Sequence, residues 1–233
     1  MTLAVTEWAS RGVREVAEFL WPRRCPGCGR APGPQPLLCA GCLGRIPRLA
    51  TPVCIRCLAA GADDPRCARH PGFTVWPAWS YDERAARVVE AFKFEQRTDL
   101  AAGLVRELAR VMPRGFRADA VTGIPLHPAR RRERGYNPSE RLAAGLARVA
   151  GAPHVADVLE RVRATRPQSR LGPRARRTNL REAFRVRAPE AWRGRRVLVV
   201  DDVVTTGATL ESAIATLRAV GAETCAITLA WAQ

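Results

Sequence analysis

The 233-residue sequence predicts an α/β domain built on a parallel sheet, behind a small N-terminal domain organised by its cysteines. Three observations point to it. The composition, 47% apolar and 26% charged, is that of a folded chain, which excludes whole-chain disorder. Near the C-terminus an apolar β-branched run, a Thr/Gly loop, a helical pattern and a second apolar run follow one another, as in a βαβ unit. Seven of the eight cysteines fall between Cys25 and Cys67. No stretch approaches the ~18 uncharged apolar residues of a membrane-spanning helix.

Residues 1–22 read as an amphipathic helix, because Val5, Trp8, Val16, Phe19 and Leu20 fall near helical spacing with polar residues between them. Glu7, Arg11, Arg14, Glu15 and Glu18 interrupt any apolar core of the kind a secretion signal needs. A chain that is not exported is expected in the reducing cytoplasm, where paired cysteines are metal ligands before they are disulfides.

Residues 23–70 carry four short knuckles: Cys25–Cys28, Cys39–Cys42, Cys54–Cys57 and Cys67–His70, each with two residues between the ligand types. Two such knuckles complete a tetrahedral zinc site. Sequential pairing gives one site of Cys25, Cys28, Cys39 and Cys42 and a second of Cys54, Cys57, Cys67 and His70. An interleaved pairing fits the spacing as well. Either way no coordination position stays open, so the zinc is structural. Pro26, Gly27, Pro32, Gly33, Pro34 and Pro36 fill the turns, as expected where metal replaces a core. Cys225 lies in an apolar run and reads as a core residue.

Residues 71–233 are expected to form the α/β domain. A helical stretch from Arg84 to Glu90 precedes Ala91-Phe92-Lys93-Phe94. Lys93 is the only lysine beside 37 arginines, retained either by chance or because a compact ammonium is needed there. Asp119 to Ile124 reads as a strand ending in Pro125, Leu126 and His127. Arg130, Arg131, Arg132 and Arg134 follow, either as anion ligands or as a solvated basic face. Residues 161–200 hold thirteen basic and two acidic residues, the densest part of a net charge of +16.

Val197-Leu198-Val199-Val200 has the composition of a buried parallel strand and is expected to end at Asp201-Asp202. Val203, Val204, Thr205, Thr206, Gly207, Ala208 and Thr209 form the following loop, and Leu210, Ile214 and Leu217 mark a helix that stops at Gly221. A last strand runs from Cys225 to Trp231. Ligands of such folds bind at the carboxyl ends of the strands. The loop offers backbone N–H groups, hydroxyls and the positive end of a helix dipole, which suit a phosphate monoester. The two carboxylates repel that phosphate but suit vicinal hydroxyls, directly or through hydrated magnesium. A ribose 5-phosphate satisfies both halves.

At these residues the sequence resembles the type I phosphoribosyltransferases: Val197 to Thr209, VLVVDDVVTTGAT, is similar to their 5-phosphoribosyl-1-pyrophosphate (PRPP) signature. With the knuckles upstream, the chain from about Cys25 resembles the ComF family of competence-associated proteins. Further similar stretches are Ile124 to Pro128, Arg134-Gly135-Tyr136-Asn137, Arg163 to Leu171 and Arg174 to Phe184. Gly123 stands where the family commonly has Pro, and His70 where it usually has Cys. The resemblance implies a type I phosphoribosyltransferase-like fold and PRPP bound with magnesium. It implies a pyrophosphate loop at Pro125, Leu126 and His127, often with a strained peptide. Lys93 and Arg134 are placed with Asp201 and Asp202 in the reaction site, and Thr165, Gln168, Arg174 and Arg177 in a lid. The activity implied is displacement of pyrophosphate by a nitrogen nucleophile, and the process implied is DNA uptake through the competence machinery. Two alternatives stay open: a non-enzymatic factor handling single-stranded DNA through its basic segment, and a regulator that senses PRPP without turnover.

Overall fold

A computed structural model describes residues 24–31, 38–49, 52–57, 67, 69–162 and 183–232. The helix expected over 1–22 and the lid residues Thr165, Gln168, Arg174 and Arg177 lie outside them.

The elements in chain order are α1 (Ala40–Leu43), β1 (Val53–Cys54), β2 (Thr74–Ser80), α2 (Glu83–Phe94), α3 (Ala101–Val111), β3 (Ala120–Gly123), α4 (Pro128–Arg134), α5 (Pro138–Ala150), β4 (Leu159–Arg161), β5 (Phe184–Val186), β6 (Arg196–Val204), α6 (Ala208–Ala219) and β7 (Glu223–Trp231). Five strands form one sheet in the order β1-β2-β7-β6-β3. The pairs β2–β7, β7–β6 and β6–β3 are parallel, and β1 runs antiparallel at the edge. This is the expected parallel α/β architecture. The cysteine segment is joined to it, however, because β1 contributes Val53 and Cys54 to the same sheet.

The central strand shows why the sheet is parallel and covered on both faces. Val197 and Val199 face one apolar core, and Leu198 and Val200 the other. All four are fully buried, each worth roughly 1.5–3 kcal/mol relative to exposure. One core holds the inner faces of α2, α3 and α5. The other holds α6 and the β4–β5 ribbon. Buried Cys225 belongs to the first, and burial pushes its thiol up to about 12, as suits an inert core residue.

Helix starts follow local chemistry. The Asp82 carboxylate accepts from Ala85 N at 2.8 Å and caps α2, whose Ala85, Val88, Val89 and Phe92 recur at helical spacing on the buried side. Asn137 caps α5 with Pro138 at the first helical position. Helix α2 runs four residues past the expected Glu90, which places Lys93 in its last turn.

Strand β6 departs from expectation in a way that shapes the site. It does not end at Asp201 but continues to Val204. Strand β7 runs on beside it, pairing Asp201 with Thr228 and Val204 with Trp231. On the other side β3 stops where Gly123 pairs with Val200. The acid pair is thus laddered on one side and faces a gap on the other.

Candidate functional site

That gap opens into a cleft lined by Lys93, Ile124, Leu126, Arg130, Arg134, Ser139, both aspartates and every residue from Val203 to Leu210. Each group arrives by a different route. The acid pair comes from the end of β6, the Thr/Gly loop from its turn into α6, Lys93 from the last turn of α2, and the arginines from α4.

The loop is built as an anion cradle. Gly207 sits at φ 72° as the N-cap of α6, a conformation an L side chain rarely adopts. It offers no side chain to its own helix, so no side-chain cap competes for the first N–H groups of α6. Thr205 and Thr206 are exposed beside it. Backbone donors, hydroxyls and the helix dipole therefore converge on one spot, the arrangement that holds a phosphate.

The two carboxylates are held in different ways. Asp202 Oδ1 lies 2.7 Å from Lys93 Nζ and accepts from Val203 N at 2.6 Å. Asp201 Oδ1 accepts from Ser139 Oγ and from Asp202 N, both at 2.9 Å. Burial pushes the Asp201 carboxyl up to about 7, and the charge of Asp202 adds to it. Lys93, the Ser139 hydroxyl and the Asp202 N–H pull the other way without cancelling the burial. A diol or a hydrated magnesium ion that restored polar contacts to this pair would favour its ionised form. The donor set of hard oxygens suits magnesium.

Arg134 is half-buried and lays its guanidinium over the Phe94 ring, 4.5 Å from the centroid. Pro125 lines an adjoining cleft with Leu126, Arg131 and Tyr136. His127 is occupied in capping α4, its Nδ1 accepting from Ala129 N at 3.3 Å. Among the described residues there is no cis bond, and none of Pro125, Leu126 and His127 has a left-handed φ.

Three residues here have roles that the sequence did not assign. Ser139 fixes Asp201. Asn137 donates from Nδ2 to Ile124 O at 2.9 Å and so ties the 124–127 turn to α5. Arg161, whose pKa is lowered chiefly by burial, is close enough to Asp201 and Arg130 to feel both charges. Gly123 also gains a reason. A Cβ there would fall 2.5 Å from Glu140 N, and Gly123 N donates to Glu140 Oε1 at 2.8 Å. Proline would bring a Cβ into that backbone and has no N–H to donate.

The cysteine ligands assemble in sequential pairs. The ligand atoms of Cys25, Cys28, Cys39 and Cys42 lie within 4.8 Å of one another, and so do those of Cys54, Cys57, Cys67 and His70. Sulfur separations of 3.6 Å (Cys28–Cys39) and 3.7 Å (Cys57–Cys67) match the roughly 3.8 Å edge of a zinc tetrahedron with 2.3 Å bonds. His70 Nδ1 completes the second set, 3.6 Å from Cys54 Sγ.

Comparison with known proteins agrees with this architecture. Residues 134–233 match the phosphoribosyl transferase domain, and residues 16–69 match the double zinc ribbon domain. The class is therefore a type I phosphoribosyltransferase-like domain behind a zinc ribbon with structural zinc. The chain is 30% identical to the DNA utilization protein YhgH of Salmonella typhi, over 96% of its own length and 90% of that protein. It is 31% identical to the competence protein F of Haemophilus influenzae, covering 80% and 86%. The chain belongs to this family, the ComF family. Among solved structures it is similar to the glutamine PRPP amidotransferase of B. subtilis, at 22% identity and TM-score 0.41, over 60% of this chain and 30% of that one. No helix among the described residues is long and apolar enough to cross a membrane.

Proposed function

We propose that the cleft binds PRPP with magnesium, and that the protein acts in the handling of incoming DNA. One observation carries the first half: the Thr/Gly cradle and the acid pair lie on consecutive residues of one strand–loop–helix junction, with the Lys93 ammonium 2.7 Å from Asp202. The cradle takes the 5-phosphate, the acid pair takes the ribose hydroxyls and magnesium, and Arg130 and Arg134 meet the pyrophosphate. Position and charge are what these residues supply; no side chain in the cleft is needed as a covalent nucleophile. The second half is supported by the names of the relatives, a DNA utilization protein and a competence protein, and by the net charge of +16.

Calorimetric titration with PRPP tests the assignment. Wild type binds in a magnesium-dependent manner. Asp201→Asn with Asp202→Asn loses that binding while circular dichroism stays unchanged. Equal affinities would remove the pair from the site. Pyrophosphate release measured across a panel of amine and nucleobase acceptors then separates a transferase from a protein that reads PRPP without consuming it.

A further inference from the structure

The Cys54–Cys57 zinc knuckle touches the phosphate cradle directly. Between Cys54 and Cys57 stand Ile55 and Arg56, and both are engaged at the junction of the loop with α6. A Cβ on Gly207 would lie 3.1 Å from Ile55 O and 3.3 Å from Ile55 Cβ, so the knuckle backbone packs against the glycine that starts α6. Ile55 is fully buried, and its N–H donates to Phe73 O at 3.0 Å. Arg56 Nε lies 2.9 Å from Glu211 Oε1, in the first turn of α6, with its guanidinium 3.6 Å from the centroid of the Phe73 ring.

We infer that this knuckle positions the phosphate cradle through Ile55 and Arg56, so that zinc in the second cluster and a phosphate in the cradle are thermodynamically linked. The coupling to PRPP rests on the site assigned above. The physical basis is geometric and electrostatic. Gly207 sets the direction of the first N–H donors of α6, and Ile55 fixes where Gly207 can sit. Glu211 places a negative charge near those donors, and Arg56 offsets it. Zinc ties Cys54 and Cys57 across to Cys67 and His70; without that tie the turn carrying Ile55 and Arg56 keeps fewer constraints. Linkage is reciprocal, so a phosphate held in the cradle must also favour retention of the metal. The first cluster has no such contact among the described interactions. Its neighbours are Arg87, which donates to Gly27 O at 3.2 Å, and Arg97, which donates to Arg24 O at 3.0 Å.

Hydrogen exchange followed by mass spectrometry on the full zinc-loaded chain tests the inference without a ligand. In Cys57→Ser, and in Arg56→Ala with both zinc ions retained by elemental analysis, amides of 203–211 exchange about tenfold faster, within the usual range of site–site coupling. In Cys28→Ser, which loses the first zinc, they do not. Unchanged exchange over 203–211 in Arg56→Ala overturns the inference, even if Cys57→Ser proves too unstable to study. With PRPP added, Arg56→Ala binds about tenfold more weakly than wild type, and PRPP slows chelator-driven release of one zinc of two. A wild type that binds no PRPP strikes at the assignment of the cleft, while the exchange comparison still decides the positioning role.

Discussion

Asp201 has a chemistry far from that of a free side chain. In the unfolded chain it loses its proton near its ordinary 3.8; in the fold it does so at about 7, mainly because it is buried. Between those values the folded state holds the extra proton, so raising the pH draws stability away, and the loss is complete above about pH 7. At ~1.4 kcal/mol per unit the effect reaches a few kcal/mol. Asp201→Asn should therefore raise the melting temperature, and by more at pH 8 than at pH 5; an equal gain at both would show that folding does not raise the pKa of this carboxyl. Gly123 makes the opposite kind of demand. Gly123→Pro removes the donor to Glu140 and drives ring atoms into the backbone of α5, and thermal melts should show a loss of about 1–3 kcal/mol.

Among the elements, the strand–loop–helix at 197–219 was the most legible in the sequence, because its strand composition, acid pair and Thr/Gly loop are contiguous. The zinc knuckles were legible for the same reason: both ligands of each are three residues apart. What could not be read were contacts made by topology. Ser139 and Asp201 are 62 positions apart, and Arg56 and Glu211 are 155 apart. Neither pair leaves a local pattern. The full length of β6 was illegible on similar grounds, since past Asp202 it is held by pairing with its neighbour β7. Asn137 links two elements at once, capping α5 through Ser139 N at 3.2 Å and holding Ile124 O. Asn137→Ala should lower stability by about 1–2 kcal/mol in urea unfolding, the cost of a lost cap with a buried carbonyl left unpartnered.

At the scale of the whole molecule, the zinc ribbon and the sheet domain share structure. Strand β1 sits in the sheet, and the core beneath α6 includes Val53 and Ile55. Glu107, nearly fully buried, accepts from Trp79 Nε1 at 3.3 Å and pairs with Arg48 at 3.2 Å, tying residue 48 to α3. Calorimetric unfolding of the zinc-loaded chain should thus show one transition, moved to lower temperature by a chelator; a domain that kept its melting point after the zinc was stripped would contradict this. The net charge acts over the same scale. Binding to single-stranded DNA should weaken steeply with salt, with a log–log slope near 0.7 per neutralised phosphate. Anisotropy titrations that gave a salt-independent affinity would rule out a polyanion surface.

The solitary ε-amine also makes the chain a singly addressable object. Lys93 is the only lysine in 233 residues, and in the fold its nitrogen sits at the cleft against Asp202. A reagent selective for lysine amines can therefore report on one place in the molecule, and it does so without any engineered tag. Label mapped to the peptide containing Lys93, apart from any on the α-amine, counts open clefts. A compound that shields the nitrogen shows itself by what fails to react, whether or not anything is turned over.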